Sequence, residues 1–330
     1  MQIGVVFPQT EIGPDPAGVR DYTQAVQQLG FKHLMIYDHV VGADPASYPG
    51  WSGAYNIKSQ FHEPFVVFGY LAAVAPELEL VTGVIILPQR QTVLVAKQAA
   101  QVDVLTQGKL RLGIGIGWNT VEYEALGMDF HTRGRRFEEQ IELLRGLWTE
   151  PVVTFEGRYH RVTAAGLNPM PVQRPIPLWI GASAEPAIKR AAEMADGFFP
   201  QRPLEGGWPA TMDKIRGWMK DAGRDPAKFG IDARVNANTG TPDDWHKMAE
   251  DWRAMGATHL SINTMGAGLQ GPDAHVERLR QALQAVQTEA RNALVLKTGA
   301  VVLTSSSAAR RTSSSKPDST SSRPLTHVSR

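Results

Sequence analysis

An aspartate and a histidine stand side by side at Asp38 and His39, closing an apolar run. Imidazole titrates near pH 6.5, so a histidine there is able to give or take a proton while another bond changes. The plain alternative is an exposed histidine capping a strand. Adjacent strand residues face opposite sides, so Asp38 and His39 share a face only if the strand has already ended. Farther on, RLGIGIGWNTVEYEALG (residues 111–127) spaces three glycines evenly and then offers Asn119 and Glu122. Asn119 suits a hydrogen bond to the carbonyl edge of a planar ring, and Glu122 suits positioning a lid or substrate. The same N-x-x-E spacing is equally a helix-capping pattern. The cluster RGRR (residues 133–136) fits an acidic ligand, or a solvated helix face paired with the FEEQIE that follows it. Tyr48, Trp51 and Tyr55 either line a substrate or pin their own segment in place.

Other chemistries find no residues. The chain of 330 residues has no cysteine, which removes disulfides, thiolate zinc sites and cysteine nucleophiles. HEPF (residues 62–65) lacks the second histidine of a zinc-protease motif, and neither a phosphate-loop lysine motif nor G-x-S-x-G occurs. The nine histidines are scattered without metal-ligand spacing, so no metal is expected. A net charge of +1 favours neither nucleic acid nor a membrane surface as partner. The opening MQIGVVFPQ reads as a strand rather than a leader, and no apolar run reaches spanning length. A cytoplasmic location is therefore expected.

The elements that would position these residues alternate. Apolar, β-branched runs fall at 3–7, 33–37, 80–86, 110–114, 178–180, 197–199, 230–235 and 259–262. Helical periodicity appears between them at 19–29, 93–106, 137–148, 186–195, 208–222, 245–255 and 276–286. Alternation of this kind implies parallel strands with crossover helices. Eight units predict an α/β fold, a (β/α)8 TIM barrel, as a single domain over residues 1–290. Two insertions are expected. One, residues 40–62, follows the second strand on the catalytic face and is a candidate lid; the other, residues 152–162, reads as a hairpin turning at Glu156-Gly157. From Thr304 onward Ser and Thr fill 14 of 27 residues, so residues 291–330 are expected to be a low-complexity, disordered tail outside the mechanism.

The glycine ladder decides between two folds. A dinucleotide fingerprint starting at Gly113 needs glycine where Trp118 stands, and one starting at Gly115 needs it where Thr120 stands. Glu138 and Glu139 lie at the distance of a ribose-binding acid but within an amphipathic helix. In a barrel, the glycines would clear space for a planar ring to approach the backbone. Several stretches in order resemble the luciferase-like flavin and deazaflavin oxidoreductases: YDHV (37–40), TGVIILPQR (82–90), residues 96–127, RGRRFEEQIELLRGLWTE (133–150) and PLWIGASAEPAIKRAAEMADGFFP (177–200). The pattern is most similar to the branch that uses the deazaflavin coenzyme F420.

That resemblance implies a set of roles. Asp38 contacts the cofactor and His39 lies beside the reacting ring carbon. Thr82, Gly83 and Val84 form a bulged segment behind the ring, with a non-proline cis peptide near Gly83-Val84. Gly117 and Asn119 belong to the ring site, and Glu122 joins His39 among the catalytic candidates. Gly181, Ala182 and Ser183 hold the cofactor phosphate at a helix N-terminus. The sugar-phosphate dehydrogenase member carries an acid where Trp118 stands, so its substrate is not implied. The expected activity is hydride transfer between F420 and a small organic substrate at the barrel mouth. The alternatives are an FMN-dependent monooxygenase using O2 and a non-catalytic flavin-binding barrel. The family also implies a homodimer.

Overall fold

The computed structural model describes residues 1–298, with side chains as far as Gln287; the Ser/Thr-rich tail lies outside the described residues. Residues 1–289 form one compact unit, and a second begins at Ala290. The β-branched runs become β1 (Gln2–Val6), β2 (His33–Ile36), β3 (Glu79–Thr82), β4 (Ile85–Ile86) and β5 (Leu110–Gly115). An outer hairpin of β6 (Val153–Glu156) and β7 (Arg161–Ala165) precedes β8 (Leu178–Ala182), β9 (Gly197–Pro200), β10 (Gly230–Asn236) and β11 (His259–Asn263). Pairing runs β1-β2-β3-β5-β8-β9-β10-β11, all parallel, and β11 returns to β1. β3 and β4 are halves of one strand interrupted at Gly83-Val84, and both pair with β5. The result is a closed eight-stranded (β/α)8 barrel, as the alternation of elements predicts.

Helices α1 (Pro16–Gln28), α2 (Pro64–Val74), α3 (Thr92–Leu105), α4 (Thr120–Ala125), α5 (Arg133–Thr149), α6 (Glu185–Met194), α7 (Gly207–Asp221), α8 (Pro242–Ala254) and α9 (Gly271–Thr298) wrap the sheet. Several begin at an X-Pro step whose first residue caps the helix. Asp15 accepts from the Ala17 N–H, Glu63 from that of Val66 and Thr241 from that of Asp244. Proline at the first helical position loses nothing there, because that N–H has no partner inside the helix. HEPF is therefore the start of α2. Periodicity does not reveal α2, since PFVVFGYLAAV is almost wholly apolar and has no polar stripe.

The barrel interior is layered. At the N-terminal end Arg111 is 2% exposed and reaches Asp232 at 2.8 Å and Glu79 at 3.0 Å. Its guanidinium lies 4.4 Å from the Trp179 ring centre. Ser261 donates to Asp232 at 2.9 Å, and its hydroxyl lies 2.9 Å from His33 Nε2. Burial raises the Asp232 carboxyl, but His33 and Arg111 outweigh it and hold the group far below the usual range. Beside them, burial and then Arg111 push His259 down to about 3. Val6, Met35, Val81 and Phe199 form an apolar layer together with Trp179. Tyr37 and Val84 pack onto this layer.

Candidate active site

A cleft of about 630 Å³ gathers ten of the eleven site residues expected from the sequence. Asp38, His39, Gly83, Val84, Gly117, Asn119, Glu122, Gly181, Ala182 and Ser183 all line it. Thr82 does not; it is fully buried, its hydroxyl donating to the Gly113 carbonyl at 2.7 Å. The cleft is assembled from the C-terminal ends of barrel strands and the segments beyond them, after β2, β3, β5, β8 and β9 and at Arg234 of β10. β2 stops at Ile36, so Asp38 and His39 lie beyond strand geometry and both reach one wall.

His39 Nδ1 lies 3.2 Å from Glu122 Oε2, with side-chain exposures of 12% and 1%. Glu122 also accepts from the Val40 N–H, and Asn119 Nδ2 lies 3.4 Å from it. Burial drives the Glu122 pKa upward, yet the bonds from His39 and Val40 prevail and leave it below the ordinary value. The carboxylate is thus the charged anchor of the histidine. Asn119 caps α4, accepting from Val121 at 3.1 Å and Glu122 at 3.4 Å. The capping pattern is only half realised. Glu122 does not bond back to Asn119 N–H because its oxygens serve His39 and Val40 across more than 80 residues. Around His39, ring centres stand 5.1 Å away for Tyr55, 4.8 Å for Phe61 and 5.8 Å for Trp118.

Asp38 is held differently. Its oxygens receive Arg90 Nη2 at 2.7 Å and the Ile86 N–H at 3.2 Å. Burial raises its pKa in spite of Arg90. These bonds fix the segment leaving β2 to β4 and to the residue after the turn that follows it. The Gly83–Val84 peptide is cis, where the resemblance places it.

The glycine ladder makes room for the strand beside it, and Gly115 and Gly117 also line the cleft. A Cβ on Gly113 would sit 1.9 Å from the Thr82 carbonyl oxygen, on Gly115 2.7 Å from Val84, and on Gly117 2.6 Å from Ile86. The space is already filled by the bulged strand, so the glycines admit that bulge and the bulge forms the floor. Gly117 also has φ +66°, in the left-handed region that favours glycine.

RGRR does not make the ion pairs expected with FEEQIE. Glu138 joins Arg190 of α6 at 2.7 Å, and Glu139 joins His160 of the hairpin at 2.7 Å. Arg136 turns inward to the Pro88 and Asp129 carbonyls. Arg133 packs on Phe130, 3.5 Å from its ring centre, and lines the cleft. In the candidate lid, Tyr55 lines the cleft, whereas Trp51 packs on Trp118 at 5.8 Å and Tyr48 on Trp51 at 6.2 Å. At the far end, α6 begins without a side-chain cap, and Ser183, Ala184 and Ala187 line the cleft there. Uncapped N–H groups at a helix start favour a phosphate. The donor set fits a flavin-type cofactor. Sequence reading missed Tyr37, Gln201, Arg202 and Arg234 in the lining. The available signal was the period-two polar alternation of Asp232, Arg234 and Asn236 in β10.

Barrel and mouth are those of an oxidoreductase-type barrel of the flavin- or deazaflavin-binding kind. The chain belongs to the luciferase-like monooxygenase family, whose profile matches residues 1–310. It is 32% identical over 235 residues to an uncharacterised protein of Mycobacterium tuberculosis, covering 71% of this chain and 78% of that one. It is 33% identical over 183 residues to an FMNH2-dependent dimethylsulfone monooxygenase of Pseudomonas fluorescens, covering 54% and 50%. The fold also matches an F420-dependent secondary alcohol dehydrogenase solved with an F420-acetone adduct, with TM-score 0.67 and 17% identity over 86% of this chain and 98% of that one. No described helix is long and apolar enough to cross a membrane. Among the described residues no group of His, Asp and Glu is arranged to hold a metal ion.

Proposed function

We propose that this protein is a flavin-dependent monooxygenase acting on a small organic substrate beneath residues 40–62. The carrying observation is the His39–Glu122 pair, set across one cleft from the uncapped start of α6, with the Val84 bulge between them. Reduced FMN, when bound, supplies two electrons that let one atom of O2 enter the substrate while the other leaves as water. Gly181–Ser183 and the first turn of α6 hold its phosphate. Glu122 fixes His39 through Nδ1, leaving Nε2 without a hydrogen-bond partner and able to deliver or receive a proton. Tyr55, Phe61 and Trp118 keep water from that imidazole. The unit performing this work is residues 1–290, with the 291–330 tail taking no part.

A second reading, hydride transfer with coenzyme F420, is favoured by Arg133 and Arg202, which line the cleft, pair with no carboxylate among the described residues and suit that cofactor's acidic tail. The identity to the FMNH2-dependent relative favours FMN. Fluorescence titration of the purified chain with each cofactor separates them. The monooxygenase reading expects FMN to bind at least about tenfold tighter, a difference near 1.4 kcal/mol. Tighter F420 binding would replace it with the hydride-transfer reading, and saturation by neither would end both.

We further propose that the protein works in the cytoplasm as a homodimer. Val66 and Tyr70 on α2 and Val93 and Leu94 on α3 are exposed on adjoining helices, which supports a paired surface. Sedimentation equilibrium should return twice the chain mass. A monomer at micromolar concentration would dismiss the dimer.

A further inference from the structure

The charges lining the cleft are balanced except at a few positions. Asp38 is paired with Arg90 and His39 with Glu122. Of the remaining cations, Arg133 is packed on Phe130 and starts α5, close to Arg190 of α6. Arg202 follows β9, whose Pro200 pairs with Ala182 at the phosphate turn. Both therefore lie near Gly181–Ser183. Arg234 comes from β10, the strand that pairs with β9.

Arg234 is the fifth residue of β10, two beyond Asp232 and on the same inward face. Asp232 is already engaged by Arg111, His33 and Ser261, and among the described residues no carboxylate makes an ion pair with Arg234. Its guanidinium lies 5.5 Å from the ring centre of Tyr37 and interacts with the buried Tyr37 hydroxyl, opposing the rise in pKa that burial gives that group. Asn236 is engaged by Asn263. A half-buried cation backed by Tyr37 thus lines the cleft, and among the described residues no carboxylate pairs with it. Cations withdrawn from water are ordinarily paired, and the fork of a guanidinium matches an oxyanion bidentately.

We propose that Arg234, with Tyr37 beside it, binds an oxyanion head group of the substrate, a carboxylate or a sulfonate, at the β10 wall of the cleft. This rests on the flavin-dependent reading in that the substrate must share the cleft with the cofactor. The head group would hold the substrate in register while its adjoining carbon reaches the ring. On this account a neutral sulfone is a poor ligand.

The test is calorimetry on the full chain loaded with FMN, using propionate, ethanesulfonate and dimethyl sulfone as probes. Wild type, Arg234→Met and Arg234→Lys are compared. At least one anion should bind wild type tenfold or more tightly than the sulfone, should lose that margin in Arg234→Met and should keep part of it in Arg234→Lys. FMN affinity should be equal in all three, which also shows that the variants are folded. Whichever anion binds more tightly identifies the head group. The proposal is overturned if the sulfone binds wild type as well as both anions do. It is also overturned if Arg234→Met leaves anion binding unchanged, or weakens FMN binding instead. Failure of wild type to bind FMN would count against the flavin reading alone, and the same titrations on the flavin-free chain would then decide the role of Arg234.

Discussion

Replacing His39 with alanine is expected to lower turnover by about 10²- to 10⁴-fold, the range of a positioned proton-transfer group. Flavin affinity should stay within about threefold, because the phosphate turn and the Val84 floor are untouched. The substitution leaves the Glu122 carboxylate buried with the Val40 N–H as its remaining strong donor. His39→Gln keeps the side chain's bulk among Tyr55, Phe61 and Trp118 and separates packing from proton transfer. Steady-state rates with reduced flavin, alongside flavin titration, check both variants. Wild-type turnover in either one would remove His39 from the mechanism.

At the opposite end of the barrel, Arg111→Met should destabilise the fold by about 3–5 kcal/mol, the usual effect of stripping a partner from a buried charge pair. The methionine occupies similar volume beside Trp179 and Phe199, so the loss is electrostatic rather than a cavity. Asp232 would be left with His33 and Ser261 alone. A carboxyl depressed in the folded state stabilises fully above its unfolded pKa of about 4 and loses that contribution as pH falls toward the folded value. Arg111→Met should accordingly lower the urea midpoint at pH 7 and move acid unfolding to higher pH. Arg111→Met with Asp232→Asn should recover part of the loss. An unchanged urea midpoint would show that the pair adds nothing net.

The sequence made the scaffold readable for a simple reason. Strands buried in a parallel barrel are short β-branched runs, and helices lying on it carry one apolar stripe, so β1 and α1 announce themselves by period. α2 escapes because it has no polar stripe. The cleft lining was legible where it is local, as at Asp38-His39 and Gly181–Ser183, which reach one cleft. The union of His39 with Glu122 joins residues on different barrel units, and no spacing rule shows it. The ladder of Gly113, Gly115 and Gly117 pointed to a close approach, but whether of a ligand or another strand depended on where Val84 and Ile86 lie. Arg234 was overlooked because a lone arginine in a strand ordinarily means an ion pair, and only the tertiary contacts show that it has none.

Glu122 holds two things at once: the imidazole through one oxygen and, through the other, the backbone of Val40, where the 40–62 insertion begins. Gln9 ties the ends of that insertion to the barrel, donating to the Tyr37 carbonyl at 2.8 Å and accepting from the His62 N–H at 3.1 Å. On the proposed reading, with His39 moving the proton and residues 40–62 covering the substrate, doorway and proton donor would share one fastening. A swing of the insertion at its Val40 end would then strain the same carboxylate that orients the imidazole, so the imidazole would be fully aligned only with the doorway shut. Proton delivery to an empty, open cleft would be discouraged by construction, with no separate latch or sensor.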